Sequence, residues 1–143
     1  MPNNFDSYHR TLSTHARESL LRDIGAFLES RPEIIYAYVF GSFVSGLPYQ
    51  DVDVALYLDG DALKDAGTQG EKYAELLGSS FREIFDVVIV NRAPNSLKCS
   101  IFSEGRLLLC RDETLLSISI EMCSLDMVAN EDISRESLME IVL

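Results

Sequence analysis

The chain has 143 residues, which is the length of one ordinary domain and too short to bury two substantial hydrophobic cores. Its 47% hydrophobic and 24% charged residues are typical of a soluble globular protein and exclude a disordered or fibrous one. The formal net charge of -11 would repel a phosphate backbone, so it disfavours general nucleic-acid binding and suits multivalent cations or a basic protein partner.

The first half of the chain predicts a helix followed by a strand and a loop. Apolar residues at steps of three and four predict an amphipathic helix over residues 8–30, and Pro32 stops it. A short run rich in β-branched and aromatic residues predicts a buried strand over Ile34–Phe40. The serines, Gly and Pro of residues 42–50 predict a turn or loop.

Two further strands carry acidic residues. The period of two in residues 51–58 places Asp51 and Asp53 on one face of a strand and the valines between them on the other. Residues 61–77 predict a helix. A third strand over residues 84–90 carries Asp86 on the same face as Val88.

The remainder of the chain predicts a helix, a strand and a helical tail. A short helix is expected from Pro94 to Ser103, then a turn at Gly105, a strand over Arg106–Cys110 and a mostly helical tail over residues 113–143. The pattern predicts an α+β (mixed α/β) fold with a small mixed sheet flanked by helices. We expect a single domain over residues 1–143, with its core at about residues 8–112.

The sequence also predicts a cytoplasmic protein that does not contact a membrane. Residues 1–10 lack the basic run and apolar stretch of a signal peptide, and no apolar segment is long enough to cross a bilayer. The cysteines are odd in number and widely spaced, without a C-x-x-C pair, which argues against a disulfide framework and a structural zinc site: Cys99, Cys110 and Cys123.

The acids and the turn before them form a pattern suited to phosphate chemistry. Gly41 permits close backbone approach and Ser42 adds a hydroxyl, so together they can cradle the β- and γ-phosphates of a nucleotide. Asp51 and Asp53 can hold Mg2+, which prefers carboxylate and phosphate oxygens. Asp86 is the best candidate for the third carboxylate of a two-metal site.

The same residues resemble a known superfamily. The run FGSFVSG from Phe40 to Gly46, followed by DVDV at residues 51–54, resembles the signature of the DNA polymerase β-like nucleotidyltransferases. Residues 85–94 and 101–112 resemble the minimal nucleotidyltransferases, or MNT domains. The small members of that group are antitoxins paired with HEPN-domain ribonuclease toxins.

The resemblance implies a fold, an activity and a set of site residues. It implies the polymerase β-like nucleotidyltransferase fold and transfer of AMP from ATP to a tyrosine of a cognate HEPN toxin, with two Mg2+ ions. The predicted catalytic and metal-binding residues are Asp51, Asp53 and Asp86, and the predicted nucleotide-binding residues are Gly41, Ser42 and Ser45. The Ser45-Gly46 pair is also typical of a turn.

Other functions stay open from the sequence. A degenerate nucleotidyltransferase fold could neutralise its toxin by binding alone. Transfer to a small molecule such as an aminoglycoside suits the acidic charge but not the length, because the core leaves little chain for an acceptor pocket. The acceptor surface is therefore expected to come from another protein, and the tail could form a homo- or hetero-oligomer contact.

Overall fold

A computed structural model of the chain describes residues 10–63 and 66–125, with the side chains of these residues except those at 66 and 67. The helices and strands follow in the order α1 (Thr14–Glu29), β1 (Ile34–Phe40), β2 (Val52–Leu58), a 3-10 helix (Gly60–Ala62), α2 (Ala66–Phe81), β3 (Phe85–Ile89), a 3-10 helix (Val90–Arg92), α3 (Asn95–Glu104), β4 (Arg106–Cys110) and α4 (residues 113–125). This confirms the predicted mixed α/β architecture.

The four strands form one mixed sheet in the order β3-β2-β1-β4. β1 pairs antiparallel with both β2 and β4, whereas β2 and β3 are parallel and are joined through α2. Parallel neighbours need such a crossover, because a tight turn cannot return the chain to the same end of the sheet. β3 therefore forms one outer edge of the sheet.

Helices cover both faces of the sheet. α1 and α2 pack on one face against the alternate residues of β2, and the core there is mainly aliphatic: Leu21, Ile24, Leu28, Val52, Val54, Leu56, Leu58 and Leu77. α3 and α4 pack on the other face, where the buried residues are Tyr36, Tyr38, Ala55, Val90, Ile101 and Leu116. The predicted two-residue period of β2 is thus confirmed by the packing.

The predicted start of the first helix was wrong. The helix begins at Thr14, because the Ser13 side chain accepts a hydrogen bond from the backbone N–H of Ala16 at 3.1 Å and caps it. Arg10 instead forms an isolated antiparallel bridge with Tyr49, with two backbone hydrogen bonds of 2.8 Å. The chain before the helix is therefore tied to the loop that precedes β2.

The second helix also differs from its prediction at both ends. Residues 60–62 form a 3-10 helix, whose start is capped by the Asp59 side chain accepting from the Asp61 N–H at 3.2 Å. α2 continues to Phe81, four residues past the predicted end. It ends where Arg82 adopts a left-handed backbone conformation with a φ of 56°.

The cysteines are arranged differently from expectation. Cys99 of α3 and Cys123 of α4 are paired in a disulfide, with their Cα atoms 5.9 Å apart, while Cys110 is free. A separation of 24 residues gives no local sign of this pairing, because only the packing of α3 against α4 brings the two residues together.

The C-terminal tail is helical over residues 113–125, where the Asp112 side chain accepts from the Leu115 N–H at 3.0 Å. The rest of the predicted tail helix, residues 126–143, lies outside the described residues, as do residues 8 and 9 of the first predicted helix. Within the described part of the chain, no helix is both long enough and apolar enough to span a bilayer.

Candidate active site

The sheet brings two of the three candidate acids together. Asp53 of β2 and Asp86 of β3 are partners in the parallel register, so their side chains leave the same face of the sheet as neighbours. Asp51 lies one residue before β2 and interacts electrostatically with Asp53. On the other side of Asp53, its register partner in β1 is Phe40.

Burial of the alternate residues determines which way the acids point. Val52 and Val54 are fully buried beneath α1 and α2, so Asp53 between them must face the opposite side. Phe85 packs into the same helix-covered core and fixes the direction of Asp86 in the same way. Asp86 is exposed, whereas Asp53 is half-buried.

The position of Asp53 makes its ionised form costly. Burial, followed by the negative charges of Asp86 and Asp51, raises the pKa of the Asp53 carboxyl from its ordinary 3.8 to about 6. A cation beside these carboxylates would oppose that shift, because it favours the ionised form. The electrostatics therefore suit a metal ion in this position.

The carboxylate oxygens fit Mg2+ in kind and in charge. Within residues 10–63 and 66–125, however, no three His, Cys, Asp or Glu side chains already converge in an arrangement that could hold a metal ion. Asp51, Asp53 and Asp86 are the residues that would hold the ion, because Asp51 and Asp86 lie near enough to Asp53 to raise its pKa.

Gly41 lies against the central acid. Its φ is +81°, a conformation that residues with a side chain rarely adopt. A Cβ atom at this position would also overlap Oδ2 of Asp53. The left-handed φ at the end of β1 therefore favours glycine, and a side chain here would also displace the carboxylate of Asp53.

The loop after Gly41 is held by bonds within itself. The Ser45 hydroxyl donates to the Gly41 carbonyl at 3.3 Å, and the Leu47 N–H donates to the Ser42 carbonyl at 3.2 Å. Phe43 is buried and meets the Tyr49 ring edge-on, with ring centroids 4.8 Å apart. Of the predicted nucleotide-binding residues, Gly41 contacts the acid site, the neighbouring Ser42 is half-buried, and Ser45 bonds within the turn.

Arg17 of α1 lies against this loop, a contact that the sequence does not predict. Gly46 has a φ of +77°, and a Cβ there would meet Nη1 of Arg17 from α1 at 2.6 Å. Arg17 therefore packs closely behind the loop. Nothing in the local sequence marks it, because the contact joins two segments that are far apart along the chain.

A groove of about 550 Å³ runs beside the third acid, along the outer edge of β3. Its lining includes Asp86 and Val88 of β3, Glu71 of α2, Arg92, and Leu97 of α3. This groove has no local sequence signature, because residues of α2, β3 and α3 form it together.

Several solved structures have a fold similar to this one. A tri-AMPylated HEPN toxin in complex with MNT antitoxin, from Shewanella oneidensis, matches with a TM-score of 0.63 and 20% sequence identity over 88% of this chain and 98% of that chain. A structure of the toxin-antitoxin MntA-HepT matches with a TM-score of 0.62 and 18% identity, over 87% and 97%. A toxin-antitoxin structure with AMP-PNP matches with a TM-score of 0.63 and 19% identity, over 86% and 97%.

Because the sequence identities are low, the structural likeness establishes a shared fold and not a shared function. No curated protein matches this sequence. A sequence model of the family described as "Polymerase beta, Nucleotidyltransferase" matches residues 22–114, from within α1 to the start of α4, and so includes all three acids and the Gly41-Ser42 turn. The chain therefore belongs to the polymerase β nucleotidyltransferase family.

Proposed function

We propose that this protein is an antitoxin that transfers AMP from ATP to a tyrosine of a cognate HEPN ribonuclease toxin, in a reaction that depends on Mg2+. The observation that carries the proposal is the row formed by Gly41, Asp53 and Asp86 at the ends of neighbouring strands. It supplies a turn that can bind phosphates beside carboxylates that can bind metal ions, and nucleotidyl transfer needs both.

The site residues have two proposed roles, which are to bind the nucleotide phosphates and to hold Mg2+. We propose that the backbone at Gly41 and Ser42 holds the β- and γ-phosphates, with Ser45 keeping the turn in shape, and that the three acids hold Mg2+. Bound Mg2+ would neutralise the phosphates and lower the pKa of the attacking hydroxyl. The tyrosine oxygen then bonds to the α-phosphorus, the bond to the β-phosphate oxygen breaks, pyrophosphate leaves, and the phenolic proton passes to solvent.

Solved structures that share this fold support a protein acceptor. These structures are of antitoxins with their toxins. In one of them the HEPN toxin is tri-AMPylated, and another contains AMP-PNP.

ATP and the RNA targets of such a toxin are cytoplasmic, so the proposal also includes a cytoplasmic location for this protein.

A second candidate function is neutralisation by binding alone. It is supported by the solved structures of antitoxins in complex with their toxins, because contact alone could cover a toxin. A protein that has lost its chemistry could keep the fold and still cover the toxin. This alternative predicts full neutralisation by the double variant Asp51→Ala/Asp53→Ala.

The test is to incubate the protein with Mg2+, labelled ATP and the cognate HEPN protein, and to measure the intact mass of both chains. We expect one or more AMP units on the HEPN protein, absent when Mg2+ is chelated and absent with Asp53→Asn. The matched control is Asp23→Asn, which removes one exposed carboxylate from α1 and should leave transfer unchanged. A tightly bound but unmodified HEPN protein would support binding alone.

A further inference from the structure

We propose that Cys99 and Cys123 form a reversible redox site, at which small thiols and peroxide break and remake the disulfide that holds the second half of α4 against α3. The two residues are paired in the structure, with their Cα atoms 5.9 Å apart. Disulfides in a reducing cytoplasm, the location proposed above, are usually transient and serve catalysis or redox sensing. The inference goes beyond the proposed function, because its chemistry does not involve the nucleotide.

The start of α4 is anchored without the cysteines. Immediately before the helix, the backbone N–H of Arg111 donates to the Ile35 carbonyl at 2.7 Å, and its Nε donates to the Ile34 carbonyl at 2.8 Å. Asp112 caps the first turn, and Leu116 is buried against the aromatic face of the sheet. We therefore expect the first turn of α4 to stay in place in either redox state.

The second half of α4 depends on the disulfide. Over residues 117–125, every side chain is exposed except those of Ser119 and Cys123, and only Cys123 is buried. The Ser119 hydroxyl donates within the helix, to the Leu115 carbonyl at 2.9 Å. A segment with so few buried contacts opens locally at little cost in free energy. The bond from Cys123 to Cys99 is thus the main attachment of this half of the helix.

A cavity between α3 and α4 gives reagents access to the two sulfurs. Both cysteines line it, its volume is about 490 Å³, and this is within the usual range for a site that takes a small molecule. The rest of the lining is apolar or neutral, with Phe102, Ile120 and several serines among its residues, and it contains no charged side chain. The cavity therefore suits a small uncharged thiol, which can reach the disulfide while the protein stays folded.

The exchange balances in both directions. In reduction, a thiolate of a small dithiol attacks the sulfur of Cys99, which is half-buried, whereas Cys123 is only 5% exposed. The bond between the two protein sulfurs breaks, Cys123 leaves as a thiolate and takes a proton from solvent, and the second thiol of the reagent then displaces Cys99 and closes the reagent's own disulfide. In oxidation, hydrogen peroxide accepts the two electrons. One cysteine becomes a sulfenic acid, the other displaces its oxygen to form the disulfide, and each step releases one water.

The test uses the folded wild-type chain, oxidised with hydrogen peroxide and then treated with dithiothreitol without denaturant. Samples are alkylated under denaturing conditions and weighed by intact mass. We expect one alkylated cysteine, Cys110, before reduction and all three afterwards. A parallel digest with a Glu-specific protease follows cleavage after Glu121, which is exposed in the second half of α4. Reduction should speed this cleavage at least about tenfold, because it lets the segment open.

Variants identify the cysteines responsible. Cys99→Ser should be cleaved after Glu121 at the fast rate with or without dithiothreitol, because no disulfide holds the helix. Cys110→Ser is the matched control, since it removes the free cysteine, and it should keep the wild-type response to reduction. The wild-type comparison needs no substitution, so the inference stays testable if Cys99→Ser does not fold.

Three results would overturn the inference. The first is a wild-type chain that keeps three alkylated cysteines after peroxide treatment, because the pair would then not form a disulfide. The second is a disulfide that dithiothreitol reduces only in denaturant, because the cavity would then give no access. The third is an unchanged rate of cleavage after Glu121 on reduction, because the disulfide would then not hold the second half of α4.

Discussion

The two faces of the sheet carry different kinds of side chain. The face beneath α1 and α2 is packed with aliphatic side chains along the length of β2, from Val52 to Leu58. The opposite face is covered by α3 and α4 only over its aromatic part, around Tyr36 and Ala55, and its other end carries the acids. One face thus supplies most of the apolar burial, which leaves the other free to keep like charges side by side.

This contrast predicts the largest stability loss on the aliphatic face. Leu56 is fully buried between the sheet and the helices, and Leu56→Ala should lower the free energy of unfolding by about 2–5 kcal/mol, because it removes buried methyl groups and leaves a cavity. Chemical denaturation would measure the loss. The control Leu107→Ala removes a leucine that is 44% exposed and should cost much less. Equal losses would remove the distinction between the faces.

Gly41→Ala should damage both stability and chemistry. The left-handed φ and the overlap with Asp53 Oδ2 should together cost about 1–3 kcal/mol, and the displaced carboxylate should lower AMP transfer at least tenfold. Gly60→Ala is the matched control, because a Cβ there meets nothing within 4 Å. Denaturation and transfer assays on both variants measure the effect. Normal transfer by Gly41→Ala would contradict the proposed contact between the turn and the acid.

Asp53→Asn should stabilise the fold while abolishing transfer. Because the folded-state pKa of Asp53 is raised from 3.8 to about 6, ionisation penalises the native state, and this penalty grows as the pH rises from about 4 to 6 and is complete above 6. At pH 7 the variant should be more stable by roughly 1–2 kcal/mol, allowing for partial solvent screening. The gain should vanish below pH 4. A loss of stability at pH 7 would show that burial and the charges of Asp86 and Asp51 do not destabilise the ionised Asp53.

The smallest expected effect concerns a polar contact on the face of the sheet beneath α1 and α2. The Tyr73 hydroxyl donates to Glu33 at 2.6 Å, and Tyr73→Phe should cost about 1 kcal/mol without changing transfer. The denaturation curves of Tyr73→Phe and Leu56→Ala together measure how much packing and hydrogen bonds each contribute to the stability of this face. A loss as large as that of Leu56→Ala would favour hydrogen bonds.

Periodicity was enough to predict the central strands and the direction of the acids. β1 and β4 have the predicted bounds, and the predicted alternation put Asp53 and Asp86 each on the face of its own strand opposite the residues now seen to be buried, Val52, Val54 and Phe85. This succeeded because a strand with one face in the core has only one arrangement that buries its valines. The helix ends were less accurate, since Ser13, Asp59 and Arg82 act through single caps and turns that a periodic pattern does not register.

The sequence by itself therefore determined the alternation of elements, the strand phases and the types of residue available for phosphate and metal chemistry. Only the tertiary structure decided which distant residues meet: Gly41 with Asp53, Arg17 with Gly46, Cys99 with Cys123, and Asp86 with the groove that also reaches Arg92. The physical reason is that local patterns report which side of an element is buried. Contacts between elements depend on how the whole sheet and its helices pack.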